Sequence, residues 1–409
     1  MNPRRYITAG RKTIFLPGLT SAFRRTAFLL LLWVGILLSS CTTSTRPPAA
    51  APAADTGAAF TESATVHYAK GFTLEYFDHY KVARILNRFS DRGDTLLYYL
   101  VQRGTPAPAL PAGAQVIEIP VRKMIVTSSM HIGLAEYADA AAAIIGLADF
   151  KYVSSPTVRK NMAAGKVVEA GVEGALNDEL AISLQPGLVM TTGNPDSRFS
   201  RYRTLIDAGL PVMINSEWLE TDPLGRSEWV KLVAALTNQE ALVNKKFEAA
   251  VTEYQRLKAL AAGATQKPSA IVGLPFKGTW YVPDGDSYMT KFLLDAGGSY
   301  HWSDKKGTGS IPLSFEAVAP VALTADFWFH PSALHTKADI TAADNRYAQF
   351  RPFLKGTIYN NNKRENDIGA NDFWESGAVN PQLILADLIK ILHPELLPGH
   401  QLYYYKQLP

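Results

Sequence analysis

Residues 226–262 read RSEWVKLVAALTNQEALVNKKFEAAVTEYQRLKALAA and contain neither glycine nor proline. Apolar side chains recur at the helical period, first from Trp229 and then from Leu242 onward. The run 237–240 is typical of a capping box that restarts the helix. A segment of about 23 residues after that cap would be about 35 Å long at 1.5 Å per residue. We expect it to be a rigid connection between two lobes; an ordinary packing helix is the simpler alternative.

On both sides of this segment, short apolar runs alternate with helical stretches, a pattern typical of parallel sheets built from βαβ units. The predicted strands are 124–127, 188–191, 212–215, 270–274, 327–329 and 357–360, and the predicted helices between them include 135–147 and 288–294. Residues 71–103 instead alternate with a period of two, which predicts antiparallel strands with a turn near Asp78-His79. The fold class is therefore α/β, with two lobes that each hold a mainly parallel central sheet flanked by helices. One long helix joins the lobes, and an N-terminal antiparallel strand segment is added.

Two distant segments share one arrangement. Residues 177–182 and 313–318 each place a glutamate, Glu179 or Glu316, in the first turn of a short helix that a turn and a hydrophobic strand follow. Asp178 or Ser314 suits the N-cap position, and the helix dipole favours a carboxylate there. The repetition indicates two similarly built lobes. The plainer interpretation of both glutamates is that they are solvated residues at helix starts.

The first forty residues are typical of an export signal. Arg24 and Arg25 precede an apolar run, 27–38, that is shorter than the roughly 20 residues of a membrane-spanning helix. The run leads into Leu38-Ser39-Ser40-Cys41, which resembles a bacterial lipobox, so we expect Cys41 to become the N-terminus and to carry acyl chains. Two or three such chains would anchor the protein firmly to a membrane. The alternative is a core cysteine that follows a failed transmembrane segment.

The composition excludes several classes of protein. Six basic residues and no acid lie in residues 1–40, and without those six the 41 basic residues fall to 35 against 37 acidic ones. The basic character therefore belongs to the leader and does not indicate a nucleic-acid partner. A single cysteine excludes an intramolecular disulfide framework and a Cys-rich zinc module. The sequence also contains no nucleophile elbow, phosphate loop or zinc-protease helix, so we expect no enzyme.

The predicted organisation has five parts. They are a lipoprotein signal peptide at 1–40, a disordered tether at 41–65, an N-terminal lobe at 66–225, an interlobe helix at 226–263 and a C-terminal lobe at 264–409. The tether is predicted from its richness in Ala, Pro, Thr and Ser.

This organisation resembles the periplasmic substrate-binding proteins of ABC importers, and more narrowly their Fe/cobalamin-binding family, over residues 116–392. The residues that carry the resemblance are Glu179 with Leu188-Val189-Met190, Gly209-Leu210-Pro211-Val212, Ser314-Phe315-Glu316 and Ala325-Asp326. Gly187 departs from it, since the family usually has an aspartate there. The resemblance implies that Glu179 and Glu316 dock into arginines of a permease dimer that works with an ATPase. It also implies a monomer, lipid-anchored in the periplasm, whose ligand is a ferric siderophore, haem or cobalamin and which holds no resident cofactor or metal.

Ligands of open α/β sheets bind beyond the carboxyl ends of the strands, so we expect a cleft between the lobes. The residues predicted to bind the ligand there are Met130, His131, Tyr152, Asn194, Trp218, Trp280, Tyr281, Lys363 and Arg364. Aromatic faces suit a large flat chelate. Lys277, Lys363 and Arg364 would favour an anionic ferric siderophore, and without them neutral cobalamin would gain ground. Met130, His131 or Tyr281 could serve as axial ligands of a haem.

Three other functions remain open at this point. A related importer protein could bind free zinc or manganese through His131, His301 and carboxylates. A two-lobed α/β protein could also be an enzyme. A surface lipoprotein without any ligand is the third alternative.

Overall fold

The computed structural model describes residues 60–86, 95–172, 175–193 and 199–409, all within one compact unit. The export signal, Cys41, the tether up to residue 59 and Asn194 lie outside the described residues. Residues 60–65, predicted as the end of a disordered tether, instead pack on the body: Ala64 is buried and its N–H donates to the Tyr76 hydroxyl at 3.0 Å. Across the described ranges, every helix is too short or too polar to cross a membrane.

The strands are numbered in chain order. They are β1 Phe72–Tyr76, β2 Tyr80–Leu86, β3 Thr95–Gln102, β4 Gln115–Ile119, β5 Met124–Val126, β6 Ile144–Leu147, β7 Val168–Glu169, β8 Gly171–Val172, β9 Ala175–Leu176, β10 Leu188–Thr192, β11 Val212–Asn215, β12 Ser269–Val272, β13 Trp280–Pro283, β14 Ser299–Tyr300, β15 Ser310–Leu313, β16 Phe327–Phe329, β17 Ile358–Asn360 and β18 Lys406–Gln407.

The α-helices are numbered in the same way. They are α1 Ser129–Tyr137, α2 Pro156–Ala163, α3 Asp178–Leu184, α4 Arg203–Asp207, α5 Pro223–Glu228, α6 Val230–Thr237, α7 Glu240–Ala262, α8 Tyr288–Asp295, α9 Phe315–Ala322, α10 Lys337–Ala343, α11 Arg351–Lys355 and α12 Pro381–Leu392. Short 3₁₀ turns occur at Ala141–Ala143, Phe150–Tyr152, Phe199–Tyr202, Glu217–Leu219, Asn345–Gln349, Asp372–Trp374 and Ser376–Val379.

Two five-stranded sheets form the centres of the lobes. The N-terminal sheet has the order β11-β10-β5-β6-β7 and is parallel throughout. The C-terminal sheet has the order β14-β12-β16-β17-β18, and only its edge strand β18 is antiparallel. The predicted α/β class with two mainly parallel sheets is confirmed. All four residues of β11 and all three of β5 are buried, as expected for strands covered on both faces.

The predicted helix at 135–147 is wrong. Helix α1 ends at Tyr137, and Asp139 adopts a left-handed φ of 54°, which stops the helix. The residues that follow form a 3₁₀ turn and then β6, which pairs with β5 in parallel. The alanines favour a helix, but the isoleucines and Gly146 complete the buried sheet, so tertiary packing overrides local propensity.

A four-stranded sheet of order β1-β2-β3-β4 precedes the lobes. Its first three strands are antiparallel, as predicted, whereas β4 runs parallel to β3. Lys81 on β2 is fully buried and attaches this sheet to the α6–α7 junction. Its ammonium donates to the Ala235 carbonyl and the Asn238 amide oxygen, each at 2.8 Å, and pairs with Glu240 at 2.5 Å.

Helix α7 contacts both cores. Val243 and Phe247 pack in the N-terminal core, and Tyr254 and Leu257 pack in the C-terminal core. Val251, midway along the helix, packs against both. The segment predicted as one helix, 226–263, is divided among α5, α6 and α7, and the expected capping box does not form. Asn238 is instead left-handed with φ 56°, and Gln239 makes no side-chain cap.

The chain that leads into β1 is held by two buried carboxylates. Glu228 on α5 accepts hydrogen bonds from the backbone N–H groups of His67, Tyr68 and Ala69 at 2.6–2.9 Å. Glu220 accepts from the next two N–H groups at 2.8–3.0 Å. Lys231 balances the charge of Glu228 at 2.7 Å. We call residues 64–71 the entry segment.

Candidate functional site

A cavity of about 900 Å³, the main cavity, lies where the carboxyl ends of the two parallel sheets face each other. Thr127 and Ala148 reach it directly after β5 and β6, and His330 and Asn361 reach it directly after β16 and β17. The cavity thus forms at the place that the sheet topology predicts for a ligand. Its volume is at the upper end of the usual range for small-molecule sites, so a large ligand fits.

Both lobes supply the walls of the main cavity. The lining residues are Val126, Thr127, Ser128, Ser129, Ile132, Leu147, Ala148, Asp149, Tyr152 and Val153 from the N-terminal lobe and His330, Ser332, Ala333, Asn361, Asn362, Glu365, Gly369, Asn371 and Trp374 from the C-terminal lobe.

Two aromatic side chains flank the main cavity from opposite lobes. The exposed fraction is 54% for Tyr152 and 45% for Trp374. Large apolar rings left this open at the mouth of a cavity are available to stack on a ligand. Each lobe therefore contributes one aromatic surface.

The C-terminal wall is held in a strained backbone conformation. His330 and Ser332 both adopt left-handed φ values, 54° and 58°, although neither is glycine. The amide nitrogen of the buried Asn360 donates to the carbonyl oxygens of Ser332 and Leu334, each at 2.8 Å, and so fixes this loop. Strain of this kind persists where the surrounding structure enforces it, and it concentrates at ligand sites.

The His330 ring is also fixed by its neighbours. Its Nε2 lies 2.6 Å from the hydroxyl of Tyr405, the two rings stack with centroids 5.4 Å apart, and Phe373 meets the imidazole edge-on. Burial lowers the pKa of His330 to about 3, so the ring is neutral at physiological pH.

Two buried amide groups at the main cavity have an atom without a partner among the described residues. The side chains of Asn361 and Asn362 are about 95% buried. Nδ2 of Asn361 and Oδ1 of Asn362 nevertheless make no hydrogen bond there. A buried polar atom without a partner costs about 1–3 kcal/mol, so its presence in a native site calls for an explanation. Both residues line the main cavity, so a ligand that reached these two atoms would supply the missing partners.

The charged side chains that line the main cavity are Asp149 and Glu365, both acidic. Lys363 and Arg364 line a different cavity of about 460 Å³, the side cavity, which shares Glu365 with the main one. There the Lys363 ammonium donates to the Leu402 carbonyl, and Arg364 pairs with Asp372 at 2.6 Å. Both predicted ligand-binding cations thus point away from the main cavity. Lys277 lies in a turn beside Phe276 and is not among the lining residues.

Of the predicted N-terminal residues that the structure describes, one lines the main cavity and three do not. Tyr152 lines the main cavity, whereas Met130, His131 and Trp218 do not. The Met130 sulfur contacts Arg226 at 2.8 Å, and the Trp218 indole donates to the Gly193 carbonyl at 2.9 Å. His131 is 1% exposed within the core, and burial lowers its pKa to about 3. Neither Met130 nor His131 is placed to act on a ligand in this cavity.

The predicted aromatic residues of the C-terminal lobe also lie outside the main cavity. Trp280 is fully buried, and its indole donates to the Val272 carbonyl at 2.9 Å. Tyr281, the next residue of β13, is 50% exposed on the opposite face. Trp374 lines the cavity although the sequence did not predict it. It lies fourteen residues after the end of β17, too far from the strand for the strand-end rule to point to it.

A polar junction joins the lobes beside the main cavity. Oε2 of the buried Glu375 accepts from the Ser154 backbone N–H at 2.8 Å, and the Asn366 amide donates to the Val153 carbonyl at 3.0 Å. Gly133 on α1 packs so closely on the Glu375 carbonyl that a Cβ there would overlap it. These contacts form a second connection between lobes besides α7.

Glu179 and Glu316 lie in the first turns of α3 and α9, as predicted, and both are exposed. The N-cap of α3 is Asn177 rather than Asp178: its side chain accepts from the Leu180 N–H at 3.0 Å. Ser314 caps α9 as expected. Hydrogen bonds from the Glu316 backbone and Ser314 lower the pKa of Glu316.

Metal-binding side chains do not gather in the part of the chain that the structure describes. There, no group of three or more His, Cys, Asp or Glu residues is close enough to hold an ion.

Comparison with known proteins gives a family and a fold. The sequence model of the periplasmic binding protein family matches residues 135–342. An uncharacterized lipoprotein of Methanocaldococcus jannaschii is 27% identical over 366 residues, which cover 83% of this chain and 84% of that protein. The structure of CeuE from Helicobacter pylori, a Ni-His complex, superimposes with a TM-score of 0.54 at 17% identity and covers 78% of this chain and 90% of that one. The structure of the haem-binding protein HutB of Vibrio cholerae superimposes with a TM-score of 0.50 at 16% identity and covers 64% of this chain and 98% of that one.

Proposed function

We propose that this chain, which belongs to the periplasmic binding protein family, captures a bulky metal chelate in its main cavity and delivers it to an ABC permease. It is a substrate-binding protein of an ABC transporter and not an enzyme, as the family implies. The observation that carries the proposal is the cavity of about 900 Å³ between the two sheets, lined by Asn361 and Asn362, whose buried amide groups each have an atom without a partner among the described residues. Such a site holds a large ligand by stacking and hydrogen bonds.

The charges around the main cavity support a neutral or cationic chelate. Asp149 and Glu365 would repel an anionic ferric siderophore, and Lys363 and Arg364 are engaged in the side cavity. Amides, hydroxyls and the exposed rings of Tyr152 and Trp374 suit a flat chelate with hydrogen-bonding groups at its rim. Cobalamin, a neutral chelate with such a rim, therefore has more support than an anionic siderophore or a haem with free propionates.

The lipid anchor and the docking glutamates belong to the same proposal. The M. jannaschii relative is named a lipoprotein, which supports acylation of Cys41 and a periplasmic protein tethered to a membrane. Glu179 and Glu316 are exposed at helix starts of separate lobes, where carboxylates can meet permease arginines and set the orientation of docking. We found no observation among the described residues that favours free zinc or manganese as the ligand.

A binding experiment on the full chain in detergent tests the ligand. Cyanocobalamin, haemin and a ferric tris-catecholate are compared by thermal shift and calorimetry, and we expect cyanocobalamin to bind most tightly. Tyr152→Ala and Trp374→Ala should each weaken binding about tenfold, which corresponds to about 1.4 kcal/mol. Tyr281→Ala is the matched control, because Tyr281 is equally exposed but lies outside the main cavity. Equal losses in the control, or no binding of any chelate, would contradict the proposal.

A further inference from the structure

We propose that Tyr405 fixes His330 in the tautomer with its proton on Nδ1, so that His330 meets the ligand as a hydrogen-bond donor and does not coordinate its metal. The identity of the ligand rests on the proposed function. The tautomer is a property of the free protein and can be measured without any ligand.

The hydroxyl of Tyr405 has to donate its proton to His330. Tyr405 is fully buried, and within the described residues the His330 Nε2, at 2.6 Å, is the only hydrogen-bond partner of this hydroxyl. Burial and the nearby Asp387 carboxylate raise the pKa of Tyr405 well above its usual value, so the phenol keeps its proton. If Nε2 carried a hydrogen, the phenol proton would either point at that N–H, which is itself a donor, or point into the core without an acceptor. Donation from the phenol to Nε2 satisfies both the buried hydroxyl and this ring nitrogen.

A neutral imidazole that accepts at one nitrogen carries its proton on the other. Nδ1 of His330 makes no hydrogen bond in the described part of the chain and is not among its fully buried polar atoms. Since His330 lines the main cavity, its Nδ1–H is the group left to face a ligand. A protonated nitrogen has no lone pair for a metal.

The ring cannot easily turn over to present its other nitrogen. Tyr405 stacks on one face with an angle of 23° between the rings, and Phe373 closes the edge at 71°. The backbone of this loop is left-handed at His330 and Ser332, and the Asn360 amide holds it through the Ser332 carbonyl, which further restricts the His330 side chain. Turning the ring would also remove the one acceptor that the described residues offer to the buried phenol.

The His330 donor completes a set of hydrogen-bonding groups on one wall. Asn361 and Asn362 line the same cavity, and each has one buried amide atom, a donor in Asn361 and an acceptor in Asn362, without a partner among the described residues. Donors and an acceptor side by side match carboxamide groups at the rim of a chelate. We therefore assign the recognition to the rim of the ligand, with its metal left to the ligand's own donor atoms.

Nitrogen NMR of the free protein tests the tautomer. In the full chain labelled with ¹⁵N-histidine, we expect Nδ1 of His330 at the protonated position and Nε2 at the unprotonated one, with His330→Gln used to assign the signals. Tyr405→Phe should shift the population toward the Nε2–H form. Tyr404→Phe is the matched control, because its hydroxyl bonds Ser376 at 2.9 Å and does not touch His330. A protonated Nε2 in the native protein would overturn the proposal.

A visible spectrum of the complex tests the second half of the proposal. Aquocobalamin and haemin change their absorption when an imidazole coordinates the metal. We expect aquocobalamin to bind without that change, and His330→Gln to weaken its binding while the spectrum of the bound form stays the same. An imidazole-type spectrum that His330→Gln abolishes would overturn the proposal. Absence of any binding would instead contradict the proposed function, and the NMR result would stand as the test of the tautomer.

Discussion

Glu375 reaches across the boundary between the lobes, and its Oε2 accepts a hydrogen bond from the Ser154 backbone N–H at 2.8 Å. Ser154 follows Val153 and Tyr152, which line the main cavity. Together with the Asn366 amide, this carboxyl group therefore couples the C-terminal lobe to the loop that carries Tyr152, one of the two exposed aromatic rings.

This carboxyl group makes stability depend on pH. Burial, with smaller contributions from Asp372 and Glu136, raises the pKa of Glu375 to about 8 against the lowering effect of the Ser154 and Ser155 N–H groups. In the unfolded chain the group titrates near 4.5, so between about pH 4.5 and 8 the native state holds more protons. The free energy of unfolding should therefore fall by a few kcal/mol as pH rises through this range.

Urea denaturation at about pH 5, 7 and 9 measures that slope. Glu375→Gln should lose the part of the slope that this group contributes, because an amide does not titrate. Glu248→Gln, an exposed residue of α7, is the control and should keep the slope. Parallel pH profiles for the Glu375 variant and the native protein would show that the carboxyl group is not responsible.

Gly133→Ala should destabilise the protein although alanine is the better helix former. Within α1 the exchange favours the helix by about 1 kcal/mol. The added Cβ would overlap the Glu375 carbonyl oxygen and push the lobes apart, and overpacking of this kind costs about 1–3 kcal/mol. Thermal unfolding compares it with Gly399→Ala, whose Cβ meets nothing within 4 Å. A midpoint at or above the native one would refute the close contact.

Lys81→Met should detach the N-terminal sheet from the α6–α7 junction. Glu240 is only 4% exposed. Without the ammonium, the Tyr76 hydroxyl at 3.3 Å is the one side-chain partner of its carboxylate that remains among the described residues. Breaking a buried pair on one side costs about 3–5 kcal/mol. The double variant Lys81→Met/Glu240→Gln should recover part of the loss, as urea denaturation would measure. A single variant as stable as the native protein would show that the pair is dispensable.

Glu179→Ala and Glu316→Ala should reduce uptake without changing ligand affinity. Each variant removes one carboxylate from the exposed start of a helix and leaves the residues of the main cavity unchanged. In cells that carry the cognate permease, we expect each single variant to slow uptake severalfold. The double variant should reduce uptake to the level of cells that lack the binding protein. Glu248→Ala serves as the control acid on an exposed helix face. Normal uptake by the double variant would end the docking assignment.

The fold of the protein could be predicted from the sequence more accurately than the residues of its ligand site. The period of two, the short buried runs and the segment without glycine led to the correct fold class, and the family resemblance is confirmed. Strands β11 and β16 have the predicted bounds, since buried parallel strands are continuous apolar runs. The helix predicted at 135–147 failed, because pairing with β5 depends on residues far away in sequence.

The site was harder to predict because a loop position does not say where a side chain points. Trp280 and Tyr281 follow β12 after the same turn, yet alternation along β13 sends the first into the core and the second to the surface. Lys363 and Arg364 follow β17 closely, but their partners at Leu402 and Asp372 draw them to the side cavity. Such partners come from elements that only the folded chain brings together.

The entry segment has a mechanical consequence. Five backbone N–H groups, from His67 to Gly71, end on only two carboxylates, Glu228 and Glu220. Tension drawn along the polypeptide from its amino side would reach this cluster before it reached β1, and several bonds would have to yield together rather than one after another. Such a load would be carried by α5 and by the turn before it, which hold the two carboxylates, and neither carboxylate belongs to the lining of the main cavity.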